Sequence, residues 1–135
     1  MRTILAIGLL ATSLGAPAPD VSRVETKYPD GRLMRVEHFV DGRKAGLQET
    51  WWPNGNRRTV ANYVDDVYHG EYRSWRQDGS RYELRHYDHG RESGVQQSWE
   101  ADGRLYLNYE VKGGRRYGFI NSKPCLPATD EGSQK

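Results

Sequence analysis

Between Tyr28 and Lys123 the apolar residues never recur at the three-and-four spacing of an amphipathic helix, so no helix is predicted there. They fall instead in runs of seven or eight residues rich in Val, Leu, Tyr and Arg, bounded by glycine-containing turns, which is the pattern of strands. Along the first run Met34, Val36 and Val40 share one face, Arg35 and Glu37 point to the other, and Phe39 breaks the alternation. In the last run the apolar set shifts by one, to Leu105, Leu107, Tyr109 and Val111, which predicts an edge bulge or a capping strand.

The runs recur. Written in rows of 24 from Tyr28, four rows align without a gap. Gly31, Gly55, Gly79 and Gly103 share one column; Gly46, Gly70, Gly94 and Gly118 share another; a third holds Gly42, Gly90 and Gly114, with Asp66 as its exception. Trp51, Trp75 and Trp99 recur at the same interval, then give way to Lys123, and Phe39, Tyr63 and Tyr87 give way to Val111. Each row reads as a pair of strands. Asp30-Gly31, Asn54-Gly55, Asp78-Gly79 and Asp102-Gly103 are dipeptides suited to tight turns with two residues at positive φ. At about 4.8 Å per strand, eight strands make a sheet roughly 35 to 40 Å across.

The pattern Phe39-Val-Asp-Gly42-Arg-Lys-Ala-Gly46, and again Tyr87-Asp-His-Gly90-Arg-Glu-Ser-Gly94, each followed by a Trp-ended strand and an Asp/Asn-Gly turn, resembles the MORN repeat. The 24-residue spacing is most similar to bacterial variant MORN repeats, some of which are classed as antitoxin or immunity proteins. The resemblance covers about residues 28–123 and departs at Asp66 and Val111. It implies an all-β, elongated antiparallel β-meander of four hairpin repeats used for binding, and it implies no catalytic residues.

Composition narrows the rest. The chain has 135 residues, 36% of them hydrophobic, and 20 Lys and Arg against 18 Asp and Glu. That size allows one domain, and the near-neutral balance excludes a basic nucleic-acid binder. Met1 to Ala18 reads as a secretory signal, with Arg2 ahead of the apolar run Ile4–Leu14 and small residues after it, so an exported, periplasmic or extracellular protein is expected. Residues 19–27 read as a linker and 124–135 as a disordered tail. The only cysteine, Cys125, excludes an intramolecular disulfide; it is either an unremarkable thiol, half of an intermolecular bridge or a soft-metal ligand.

No catalytic constellation stands out. The i, i+3 pair His86 and His89 falls on opposite faces of a regular strand, so no metal site or cofactor is expected. Glu37, Glu49, Glu71 and Glu83 sit among arginines and read as cross-strand ion pairs. Two stripes remain. Trp51, Trp75 and Trp99 are expected in the core, where aromatic area replaces missing aliphatics, with an aromatic ladder for a glycan or partner side chains as the other reading. Arg43, Arg91 and Arg115, with Lys44 and Arg116, form either a solvated loop set balanced by Asp41 and Glu92 or a contact surface for anionic lipid, peptidoglycan or an acidic protein face. The candidate binding residues are therefore Arg43, Arg91, Arg115, Arg116 and Trp52. The expected role is that of a non-catalytic binding or scaffold protein with a protein partner; an antitoxin or immunity protein, or an envelope or glycan binder, are the alternatives.

Overall fold

The computed structural model describes residues 15–120 and the backbone of residues 123–124. The expected signal segment lies largely, and the expected tail and Cys125 almost entirely, outside the described residues. The strands are β1 (Val21–Lys27), β2 (Leu33–Val40), β3 (Arg43–Lys44), β4 (Gly46–Trp51), β5 (Arg57–Val64) and β6 (Val67–Trp75). They continue as β7 (Arg81–Asp88), β8 (Arg91–Glu92), β9 (Gly94–Trp99), β10 (Leu105–Lys112), β11 (Arg115–Ile120) and β12 (Lys123–Pro124). All twelve join in one open antiparallel sheet in which neighbours in sequence are neighbours in space; β3 and β8 are short side segments on β2 and β7. The chain is all-β and a meander, as expected.

The segment expected as a linker is instead an edge strand. Val21–Lys27 pairs antiparallel with β2 from Val21↔Val40 to Lys27↔Leu33. Its β-branched Val21, Val24 and Thr26 suit an extended backbone, and it satisfies one whole side of β2. No glycine turn precedes it, which is why the turn pattern did not reveal it.

Two kinds of turn alternate, with roles exchanged relative to expectation. At the Asp/Asn-Gly positions only the glycine takes positive φ, between 84° and 89° at Gly31, Gly55, Gly79 and Gly103. The Gly31 N–H donates to the Tyr28 carbonyl and the Tyr28 N–H to the Arg32 carbonyl, and the same pair of bonds recurs from Trp52, Arg76 and Glu100. This is a three-residue loop, a tight turn closed by a glycine bulge. The Asp or Asn serves as an acceptor: Oδ1 of Asp30, Asn54, Asp78 and Asp102 takes the N–H two residues on. The two-residue turns with both positions at positive φ lie at the opposite end, at Asp41-Gly42, Asp65-Asp66, His89-Gly90 and Gly113-Gly114. Asp66 stands where glycine is expected because its Oδ1 accepts the Lys44 N–H at 2.7 Å.

The second glycine column has a cross-strand logic. Gly46 faces Tyr63 and Gly70 faces Tyr87 on the neighbouring strands, while Gly94 faces Val111. A ring opposite a glycine covers backbone that has no side chain of its own. The last member, Gly118, faces Tyr109, and a Cβ there would stand 2.2 Å from the Asn108 carbonyl oxygen and 2.6 Å from the Tyr109 Cα. In the first and third rows the glycine follows a break between β3 and β4, and between β8 and β9. A glutamine fills each gap. Gln48 donates from Nε2 to the His38 carbonyl at 2.8 Å and accepts the His38 N–H on Oε1, so the side-chain amide replaces a missing rung of the ladder. Gln96 donates in the same way to the His86 carbonyl at 2.7 Å and is completely buried.

The buried set is correspondingly unusual. Val36, Ala61 and Tyr109 are its only hydrophobic members among the described residues, beside Gln48, Ser74, Gln96 and Ser98. Register places Gln48, Ala61, Tyr72 and Arg85 in one transverse row, with Gln96 opposite Tyr109 two strands further on. That face also carries the tyrosine group in which Tyr68 lies 4.6 Å from Tyr63 and 5.0 Å from Tyr87, ring centre to ring centre. Burial raises the phenol pKa of Tyr63, Tyr72, Tyr87 and Tyr109 above the ordinary value. The apolar shift in the last strand reflects a change of face: Leu107, Tyr109 and Val111 join the tyrosine side. A register shift does occur beside Leu105, but equivalent shifts accompany Trp51 and Trp75, so it marks the three-residue loops generally.

Two measurements test this account. Gly118→Ala is expected to cost roughly 2 kcal/mol or more in denaturant unfolding, because backbone blocks the new methyl group. Gly103→Ala, with positive φ but open space around it, is expected to cost only about 1–2 kcal/mol. The pKa of Asp78 is held below the ordinary carboxylate range by the Ser80 hydroxyl and N–H, and that of Asp102 by the Arg104 N–H. A depressed folded-state pKa contributes stability above the unfolded value, lost as pH falls through the folded one. The melting temperature should therefore drop as pH falls below about 4. A doubly substituted Asp78→Asn, Asp102→Asn chain, given the acceptor that Asn54 already uses, should show a shallower drop.

Candidate functional site

The three-residue loops bring together the side chains best placed to meet a ligand. The residue just before each of the first three loops reaches across to the last carbonyl of its own row, beside the next loop. Tyr28 Oη donates to the Trp51 carbonyl at 2.8 Å, Trp52 Nε1 to the Trp75 carbonyl at 3.0 Å and an Arg76 Nη to the Trp99 carbonyl at 2.6 Å. A phenol, an indole and a guanidinium make the same bond at 24-residue intervals. Arginines lie over the neighbouring rings: Arg58 over Trp52 at 4.5 Å, Arg76 over Tyr82 at 4.5 Å and Arg81 over Trp99 at 5.9 Å.

Three shallow hollows open along this end of the sheet. The first, of about 250 Å³, is lined by Arg73, Trp75, Arg81, Leu84 and Trp99 among others. A second, about 360 Å³, lies between Trp52, Trp75, Arg76, Gln77 and Tyr82. The third, about 430 Å³, runs from Arg76 and Tyr82 to Trp99 and Tyr106. The second and third share Arg76 and Tyr82 and form one strip, whereas Arg73 and Leu84 of the first lie, by strand alternation, on the face opposite Arg85 and Leu107 of the third. Tyr82 is 46% exposed and Tyr106 37%. Large aromatic rings at that exposure, next to arginines, are the side chains that contribute most at protein interfaces.

Trp51, Trp75 and Trp99, expected in the core, are half-buried. A single sheet offers no second layer to close over them, so one side of each ring stays open. Trp52, expected as a binding residue, borders the second hollow, but its indole N–H is already engaged.

The arginine stripe divides. Arg43 and Arg115 each stand at the closing position of a two-residue turn, opposite Val40 and Lys112, and Arg91 does so opposite Asp88. Arg116, one residue further, turns to the other face by strand alternation. There it bonds Glu92 at 2.8 Å and lies 5.1 Å from the Tyr109 ring centre. Glu92 also accepts from the Tyr109 hydroxyl at 2.9 Å, so Arg116 belongs to a structural cluster. Arg43 reaches Asp65 at 3.6 Å. The four arginines do not form one surface.

Of the expected glutamate pairs, Glu49 with Arg57 crosses strands, as does Glu37 with Lys44. Glu37 with Arg35, Glu71 with Arg73 and Glu83 with Arg85 are two residues apart on one strand, where alternation puts them on the same face. Burial works against the Arg85 charge, but the hydrogen bond and charge of Glu83 outweigh it and raise its pKa.

The chain matches no protein-family model, no curated protein and no solved structure. Sequence reasoning missed Arg58, Arg76, Arg81, Tyr82 and Tyr106 as strip residues. Arg58, Tyr82 and Tyr106 share one column, and Trp52 and Arg76 another, but the residue types change from row to row while the contact is kept. It also missed the meeting of His69, Asp88 and His89, whose ligating atoms all lie within 4.8 Å of one another.

Trp75→Ala is expected to lower unfolding stability by about 1–2 kcal/mol, short of the ~3–5 kcal/mol of a fully buried tryptophan. A denaturant titration showing a loss in that upper range would return Trp75 to the core.

Proposed function

We propose that this is an exported, non-catalytic binding protein of the MORN-like type, and that it presents the Trp75–Tyr82–Tyr106 strip to a protein partner. The observation that carries the reading is the exposure of Tyr82 and Tyr106 beside Arg76 in a chain that depends on aromatic area for its own stability. Leaving such rings in water is unfavourable unless a partner covers them. Shallow, linked hollows suit the side chains of a protein better than one enclosed small molecule. Export rests on the apolar segment Ile4–Leu14. Among the described residues, no helix is long and apolar enough to cross a membrane.

The antitoxin or immunity alternative uses the same strip against a toxin. A glycan binder would use the Trp–Arg contacts in the first hollow, and its partner would be saccharide. Site-specific photo-crosslinking in the native host separates these. A photoreactive residue at Tyr82 or Tyr106 is expected to capture one discrete protein, whereas one at Arg91 or Tyr117 captures little. Equal capture at all four positions, or none at Tyr82 and Tyr106, would remove the strip as the docking surface.

A further inference from the structure

We propose that His69, Asp88 and His89 bind a divalent transition-metal ion of the zinc type. The three residues come from two different rows. His69 lies on β6 and Asp88 ends β7, while His89 occupies the first position of the two-residue turn before β8. The backbone holds them together, because the Gly90 N–H donates to the Tyr68 carbonyl at 2.7 Å and locks that turn against the strand carrying His69. His69 and His89 have ring centres 4.5 Å apart. Asp88 Oδ1 lies 2.6 Å from His89 Nδ1 and 3.5 Å from His69 Nδ1, so a single carboxylate oxygen stands between two imidazole nitrogens.

Two imidazoles and a carboxylate are a borderline nitrogen and oxygen donor set, suited to Zn²⁺, Ni²⁺ or Cu²⁺ and not to Mg²⁺ or Ca²⁺, which prefer oxygen alone. Tetrahedral zinc would take the three side chains and leave its fourth position to water or to a partner's ligand. The ligand atoms need only small rotamer shifts to converge, since all three residues are at the surface or half-buried.

Departures from the 24-residue pattern point to the same place. The turn position of His89 is Asp41, Asp65 and Gly113 in the other rows, the Asp88 position is Val40, Val64 and Lys112, and the His69 position is Ala45, Ser93 and Tyr117. His89 takes φ of 45°, the left-handed conformation that Asp41, Asp65 and Gly113 also take at this turn position. His69 and Asp88 therefore stand where the other rows carry Ala45, Ser93 and Tyr117 or Val40, Val64 and Lys112, and only here do they meet a ligating residue at the turn, His89.

The test is calorimetric titration of the untagged chain with zinc chloride near neutral pH. One zinc per chain is expected, unaffected by excess Mg²⁺. His69→Ala and His89→Gly should each weaken binding roughly tenfold or more. His89→Gly is the variant that keeps the fold, because glycine already occupies the corresponding Gly113 position, and its melting temperature should be unchanged or raised. His86→Ala and Cys125→Ser should bind as the parent chain does. Absence of zinc binding, undiminished binding in His89→Gly, or binding lost in Cys125→Ser would overturn the assignment.

Discussion

In the first three rows, each three-residue loop is tied to the next by a side chain that donates to the last backbone carbonyl of its own row, just before the next loop begins. The Tyr28, Trp52 and Arg76 bonds to the carbonyls of Trp51, Trp75 and Trp99 are the same interaction made by three different groups. A single-layer sheet needs such bonds, because it has no opposing layer against which aliphatic side chains could be buried. Successive hairpins would otherwise be held only by their strand pairing. The donors fix the three-residue loops in a line, and the hollows between Trp, Tyr and Arg are a consequence of that line. The surface available to a partner is thus a by-product of what holds the rows in register.

The opposite end of the sheet solves a different problem. There the two-residue turns require positive φ at both central residues, and a glycine bulge follows. Where the bulge interrupts a ladder, Gln48 and Gln96 supply amide groups in place of backbone, and this explains fully buried glutamine in a chain poor in aliphatic residues. Gln48 is bonded to His38 through both amide atoms, while Gln96 bonds the His86 carbonyl through Nε2 and its buried Oε1 has no partner among the described residues. His38 and His86, 48 residues apart, stand at those breaks and each has Nδ1 within hydrogen-bonding distance of a carbonyl, of Leu47 and Val95 respectively. The first and third rows are therefore alike, while Tyr72 stands in the second where the glutamines stand and β6 runs unbroken.

Glycine positions were the most legible feature of the sequence. Every glycine in the three columns takes positive φ, because that conformation excludes most side chains and leaves a mark in residue identity. The eight strands expected become ten, β2 to β11, because β3–β4 and β8–β9 are each one expected strand divided by a break. The type of each turn did not, since Asp-Gly serves both a two-residue turn and an Asx acceptor followed by a bulge, and only the bonds made by the neighbouring strands distinguish them. Strand β1 was missed because an edge strand needs no glycine and no period of its own, only an unpaired neighbour.

By itself, then, the sequence determined the all-β class, the antiparallel hairpins and the places where the backbone must turn, all of which depend on local conformational preference and spacing. The tertiary structure alone decided which side chains meet. Trp51, Trp75 and Trp99 share a column, yet their burial depends on whether another layer covers them. Arg43, Arg91, Arg115 and Arg116 look like one stripe, yet strand alternation and the Glu92 cluster divide them. His69 and His89 are 20 residues apart and share no pattern; the pairing of β6 with β7 and the hydrogen bonds from the turn to β6 make them neighbours.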